Sequence, residues 1–180
     1  MAYSTPPTFS AGAALAAADL NTLGTDIAYL YGIQQGLTFS AAQVRRAASQ
    51  NIDDSTETAI SFDTETLDVG GWYSSGTDVV VPAGAIPAGA TSIGIDLRGL
   101  INYASNSTGK RQIHLQKNGS DVDALGVSAL DGGDNTTLSM SAVTTAEAGD
   151  IFTLVAKQTS GGALNVAAAR FTVLRLGVAT

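Results

Sequence analysis

The strongest constraint in this sequence is a series of short strand-forming runs cut by turn signals. Ala59-Ile60-Ser61-Phe62, Val79-Val80-Val81, Ile93-Gly94-Ile95-Asp96-Leu97, Ile113-His114-Leu115, Leu138-Ser139-Met140-Ser141-Ala142 and the stretches 122–127, 151–156 and 171–176 are all brief and mostly rich in strand formers. Between them stand Gly70-Gly71, Ser74-Ser75-Gly76, Pro82-Ala83-Gly84, Pro87-Ala88-Gly89, Asn118-Gly119, Asp131-Gly132-Gly133 and Ser160-Gly161-Gly162. In such clusters Gly supplies positive φ and Pro a fixed negative one. No helical apolar period intervenes, so there are no crossover helices to join parallel strands. The region from about residue 45 onward is therefore expected to be an antiparallel sandwich or jelly roll. Asn118-Gly119 is the sharpest hairpin signal, because a type I′ turn needs positive φ at both central residues.

Alternation along these runs predicts which faces are wet. In Gln112-Ile113-His114-Leu115-Gln116, Ile and Leu share one face and the polar residues the other, which places His114 in solvent. By contrast, stretch 151–156 is apolar on both faces, as is much of 164–176. A sandwich strand has one inward face, so a second apolar face needs a cover, and a neighbouring subunit of a tight homo-oligomer is the expected one. Phe62, Trp72, Phe152, Leu154, Phe171 and Val173 are the side chains expected in the core or at that interface.

The first 50 residues are written differently. Pro6-Pro7-Thr8-Phe9 reads as an extended lead-in. Thereafter Leu20, Leu23, Ile27 and Leu30 form one stripe on a helix. The spacing predicts a helix over residues 17–31, ended by Gly32 and Gly36. Roughly 22 Å of helix is marginal alone in water, so the stripe needs a partner: its own domain, a helix trimer or a socket in another protein. Ser40-Ala41-Ala42-Gln43 has the order of a capping box and predicts a helical turn before Val44. Asp19 and Asp26 are offset by Arg45 and Arg46, which leaves the whole net charge of −7 in residues 51–180. The expected division is an anchoring or trimerising segment, 1–43, and a β domain, 44–180.

Several function classes are disfavoured. A chain of net charge −7 and pI near 4.4 lacks the cations that nucleic-acid binding needs. With no Cys there are no disulfides, thiolate metal sites or cysteine nucleophiles. The start Met1-Ala2-Tyr3-Ser4-Thr5-Pro6 has no basic leader, and no apolar run is long enough for a membrane helix. Synthesis in a reducing cytoplasm without membrane insertion is expected. His114 is the only imidazole, and no Gly-x-Ser-x-Gly turn accompanies it, so acyl-transfer chemistry has no basis. Asp53-Asp54, Asp63-Glu65-Asp68 and Asp121-Asp123 are the carboxylate sets a glycoside hydrolase would require, but they lie in Ser/Thr/Gly-rich loops where a solvated carboxylate is the default. No enzyme is expected.

No cofactor is expected either, the one candidate being Ca2+ at Asp131-Gly132-Gly133-Asp134-Asn135, which offers oxygen ligands without the EF-hand order. Lys110, Arg111 and Lys117 form a small basic cluster read as exposed, and Trp72-Tyr73 is either a sugar-stacking pair or a core pair. Tyr73, Asn106, Asp131, Asp134 and Asn135 are the candidate ligand-loop residues.

Two stretches carry a family resemblance. Thr8-Phe9-Ser10-Ala11-Gly12, followed by Leu15-Ala16-Ala17-Ala18-Asp19-Leu20-Asn21-Thr22-Leu23, resembles the N-terminal segment of many phage virion proteins, with Ala16 where Thr is usual. The second runs from Val44-Arg45-Arg46 through Asp68-Val69-Gly70-Gly71-Trp72, Gly109-Lys110-Arg111-Gln112-Ile113 and Ala148-Gly149-Asp150-Ile151 to Val173-Leu174-Arg175-Leu176-Gly177. It resembles the trimeric jelly roll shared by complement globular heads, tumour-necrosis-factor-like domains and phage fibre knobs. One departure is the insertion Pro82-Ala83-Gly84-Ala85-Ile86-Pro87-Ala88-Gly89-Ala90 in place of a Pro-x-x-Gly-x-Tyr strand entry. The resemblance implies a homotrimeric virion-surface protein of a tailed phage. Leu20, Leu23, Ile27 and Leu30 would anchor or trimerise it on another virion protein. The knob, as part of a tail fibre or minor tail protein, would meet a host glycan or protein. A capsid decoration or head-fibre protein is the alternative, and an envelope-glycan hydrolase a remote one.

Overall fold

A computed structural model of the chain describes residues 17–36, 39–122, 126–128 and 134–179. The chain divides into two compact units, Met1–Thr38 with Pro87–Gly89 and Phe39–Ile86 with Ala90–Thr180.

In the first unit, helix α1 spans Ala17–Gly36, 20 residues, or roughly 30 Å. It runs through Gly32, where the sequence predicted a stop, because one interior glycine costs only about 1 kcal/mol relative to alanine. The hydroxyls of Thr22 and Thr25 donate to the carbonyls of Ala18 and Asn21, at 3.0 and 2.9 Å, so their polarity is satisfied on the helix itself. Leu20, Leu23, Ile27 and Leu30 are all 40–58% exposed. Among the described residues no helix is long and apolar enough to cross a membrane.

The second unit is an antiparallel jelly-roll sandwich. Its strands are β1 (Ala41–Arg46), β2 (Gln50–Ile52), β3 (Thr58–Ala59), β4 (Thr64–Val69), β5 (Asp78–Val80), β6 (Ile93–Tyr103), β7 (Arg111–Lys117), β8 (Ser120–Asp121), β9 (Gly126–Ser128), β10 (Thr136–Ala146), β11 (Ile151–Gln158) and β12 (Leu164–Val178). The first sheet is ordered β10-β6-β12-β1-β4, with β2 also on β12; the second is β3-β11-β7-β8, with β5 on β11 and β9 on β7.

The period-2 alternation turns Ile93, Ile95, Leu97, Ile101, Phe171 and Val173 of the first sheet toward Ile113, Leu115, Phe152 and Leu154 of the second, and all are buried. Phe62 stacks on Phe171 with ring centroids 6.1 Å apart. At Gly99 the sheets approach so closely that a Cβ would lie 2.5 Å from Leu154 Cδ1 and 3.0 Å from Leu115 Cδ2. Asn118 and Gly119 form the tight turn between β7 and β8, with φ of 52° and 78°.

Several sequence expectations are corrected here. Residues 41–46 are strand β1, not a helical turn, and Ala42 and Val44 point into the core. The Ser40 hydroxyl, which would have capped a helix, instead accepts the Trp72 indole N–H at 2.6 Å and donates to the Val69 carbonyl at 3.0 Å. Arg45 and Arg46 lie on β1, so the cations that balance Asp19 and Asp26 in the sequence belong to the sandwich. In the stretch 122–127, Val122 lies past the end of β8, residues 126 and 127 belong to β9, and residues 123–125 lie outside the described residues. His114 is only 3% exposed and Arg111 is buried too, although alternation placed the His in solvent and the basic cluster on the surface. Val155, the residue opposite His114 across the β7–β11 pair, is also buried within the single chain. The second face of stretch 151–156 thus needs no other subunit at Val155.

Candidate functional site

The outer face of the first sheet carries several exposed apolar and cationic side chains, and its composition follows from register. One row across it reads Val69, Ala41, Leu174, Asp96, Val143; the next reads Leu67, Gln43, Thr172, Arg98, Ser141; a third reads Thr64, Arg45, Arg170, Leu100, Ser139. These rows separate two ends. The apolar end holds Leu67, Val69 and Val143, joined by Leu176 further along β12; all are exposed, Val143 by 70% and Leu176 by 55%.

The other end is cationic. Arg45 and Arg170 face each other directly across β1 and β12, both exposed. Arg98 donates through Nε and Nη2 to one oxygen of Asp96, at 2.9 and 2.6 Å. A groove of about 460 Å³ runs over this end, lined by Gln43, Arg98, Leu100, Ser139, Arg170 and Thr172 among others. A second, of about 280 Å³, is lined by Arg45, Arg46, Leu100, Ala168 and Arg170 with their neighbours. Neither groove has a carboxylate in its lining.

Of the carboxylates nominated from the sequence, Asp68, Asp54 and Asp63 accept from backbone N–H groups, Asp121 is held by side chains, and Asp123 lies outside the described residues. Asp68 accepts from the N–H groups of Gly71, Trp72 and Tyr73 at 2.9–3.1 Å. Asp54 accepts from Gly161 N–H at 2.7 Å. Asp63 accepts from Ala48 and Ala47 N–H, and these bonds, with help from Thr64 and Arg46, hold its carboxyl at about 2, well below the usual range. Asp121 lies 3.0 Å from His114 Nδ1 and accepts from Gln116 at 3.1 Å. Burial pushes its pKa up, but the bonds from His114 and Gln116 outweigh this and leave it lowered. His114 Nε2 is buried and has no hydrogen-bond partner among the described residues. Among the described residues no group of three His, Cys, Asp or Glu side chains is placed to hold a metal.

Among the described residues, Tyr73, Asn106, Asp134 and Asn135 share no hydrogen bond with one another. Tyr73 donates its hydroxyl to the Phe62 carbonyl at 3.0 Å and packs edge-on against the Phe62 ring, while Trp72 is buried in the core; this pair is not presented for sugar stacking. Asn106 accepts from Thr108 N–H, and its carbonyl takes a hydrogen bond from the buried Arg111 guanidinium. Asn135 donates to Asn102 at 3.4 Å, and Asp134 is exposed at the entry to β10. Asp131 lies outside the described residues, as do Gly132 and Gly133 of the candidate calcium loop. Phe62, Trp72, Phe152, Leu154, Phe171 and Val173 are all buried in the sandwich core.

No protein-family model matches the chain, and no curated protein matches its sequence. Solved structures do match in shape. The globular domain of zebrafish complement 1qA protein aligns with a TM-score of 0.57 at 11% identity, over 78% of this chain and 99% of that one. Murine APRIL, in its structure at pH 8.0, aligns with a TM-score of 0.54 at 15% identity, over 77% of this chain and 100% of that one. At such identities the likeness establishes the fold and leaves function to be argued from the surface.

Proposed function

We propose that the chain is a non-enzymatic structural protein of a tailed-phage virion, carried on the particle as a homotrimer and attaching to the host surface from the tail. The observation that carries the trimer is the apolar end of the first sheet's outer face. Leu67, Val69, Val143 and Leu176 stand in water on a single chain, and exposed apolar surface of that kind favours burial against a protein. The exposed stripe Leu20, Leu23, Ile27 and Leu30 supports a second contact, in which the helix docks on another virion protein. The virion assignment draws on the resemblance of residues 8–23 to phage N-terminal segments. Against a glycan hydrolase stands the carboxylate-free lining of both grooves. No metal or cofactor enters this reading.

Electron microscopy of the particle, with a tag on the sandwich, tests it. A few copies at the tail tip support attachment; many copies over the head overturn the tail location in favour of decoration; absence from the particle overturns the reading altogether. Leu23→Asp or Ile27→Asp is expected to remove the protein from the virion while the sandwich stays folded by circular dichroism. Normal incorporation of both variants would show that the helix is not the anchor.

A further inference from the structure

We infer that the cationic end of the first sheet's outer face binds an oxyanion, a carboxylate or phosphate group that is either free or carried on a glycan. Like charges directly opposite on adjacent strands repel, yet Arg45 and Arg170 occupy such a pair of positions. Among the described residues neither guanidinium has an ion-pair partner. Arg98, one row away, is neutralised by Asp96. Two unbalanced cations therefore sit side by side on a chain whose net charge is −7.

The surface around them is concave. Arg170 and Leu100 line both grooves, so the two hollows adjoin, with Arg170 at the junction, Arg45 on one side, and Thr172, Gln43 and Ser139 on the other. The planar guanidinium fork matches carboxylate and phosphate oxygens two at a time. The hydroxyl and amide groups beside it suit the remaining oxygens or the hydroxyls of an attached sugar. A nucleic acid is disfavoured, because no aromatic side chain lines either groove for a base to stack on. The site is complete within one chain and so stands apart from the homotrimer reading.

Isothermal titration of the full chain with inorganic phosphate and with tetragalacturonate, each at an ionic strength matched with sodium chloride, tests the site. At least one probe is expected to bind once per chain, with Arg170→Gln and Arg45→Gln each weakening it about tenfold or more and Lys110→Gln leaving it unchanged. Binding of phosphate alone identifies a free ion as the source, and tighter binding of the oligouronate identifies a glycan. Both substituted side chains are exposed, so both variants are expected to fold; in chloride alone each is expected to melt no lower than the parent, since a like-charge pair has been relieved. Failure of both probes to bind beyond the chloride control overturns the site, and so does parental binding in both arginine variants.

Discussion

The two outer faces of the sandwich are built from the same kind of alternating strand but end in opposite conditions. On the second sheet, Val155 and His114 are covered by the chain itself, at 4% and 3% exposure. Asp121 is held by His114 and Gln116, and Lys157 pairs with Glu57 at 3.2 Å. On the first sheet, Val143 and Leu176 stay open and Arg45 and Arg170 stay unpaired among the described residues. The difference teaches that apolar content along a strand does not by itself mark an interface. Cover decides, and it is missing over Val143 and Leu176 on the first face and present over Val155 and His114 on the second.

Substitutions break this comparison in different ways on the two sides. The largest effect is expected at the apolar end: Val143→Asp together with Leu176→Asp places unpaired charges where the trimer contact is proposed, at a cost of about 3–5 kcal/mol for each charge that stays buried. Sedimentation should then show a folded monomer, whereas Gln112→Glu on the second sheet should leave the assembled mass unchanged. A smaller effect, about 1–3 kcal/mol by chemical denaturation, is expected for His114→Ala, which removes a buried partner of Asp121. It should lower stability without altering the mass, the reverse of the first pair. Ser40→Ala is expected to cost a similar 1–3 kcal/mol, because the buried Trp72 indole N–H loses its acceptor. Retained stability in either variant would show that these bonds do not hold their sheets.

The pH response is the smallest expected effect. Asp63 is held at about 2 and Asp121 is also lowered. A carboxylate with a depressed folded pKa contributes stability that is fully present above its unfolded value and is lost as pH falls through the folded one. For Asp63 the loss should lie between about 3.8 and 2, and Asp63→Asn should remove that part of the acid transition. An unchanged acid profile in Asp63→Asn would contradict the assignment.

Much of the fold was legible because its signals are local. Asn118-Gly119 demanded a tight turn and makes one, and the inward alternation of Phe171 and Val173 needed only the strand period. What stayed hidden depends on contacts far apart in sequence. The opposition of Arg45 and Arg170 is a fact of register between β1 and β12, and neither residue is unusual in its own segment. His114 sits on a polar-looking alternation, yet it is buried, with its Nδ1 on Asp121 of β8. Ser40-Ala41-Ala42-Gln43 fits a helix start as well as a strand, and the Trp72 indole decides between them. The apparent neutrality of the first 50 residues vanished once Arg45 and Arg46 fell on β1.

The central claim is that the open apolar end of the first sheet is covered by copies of the same chain. Sedimentation equilibrium of the full chain in dilute buffer tests it most directly. The account predicts a single species of three times the 18.2 kDa chain mass, persisting on dilution; a stable species at the mass of one chain would contradict it.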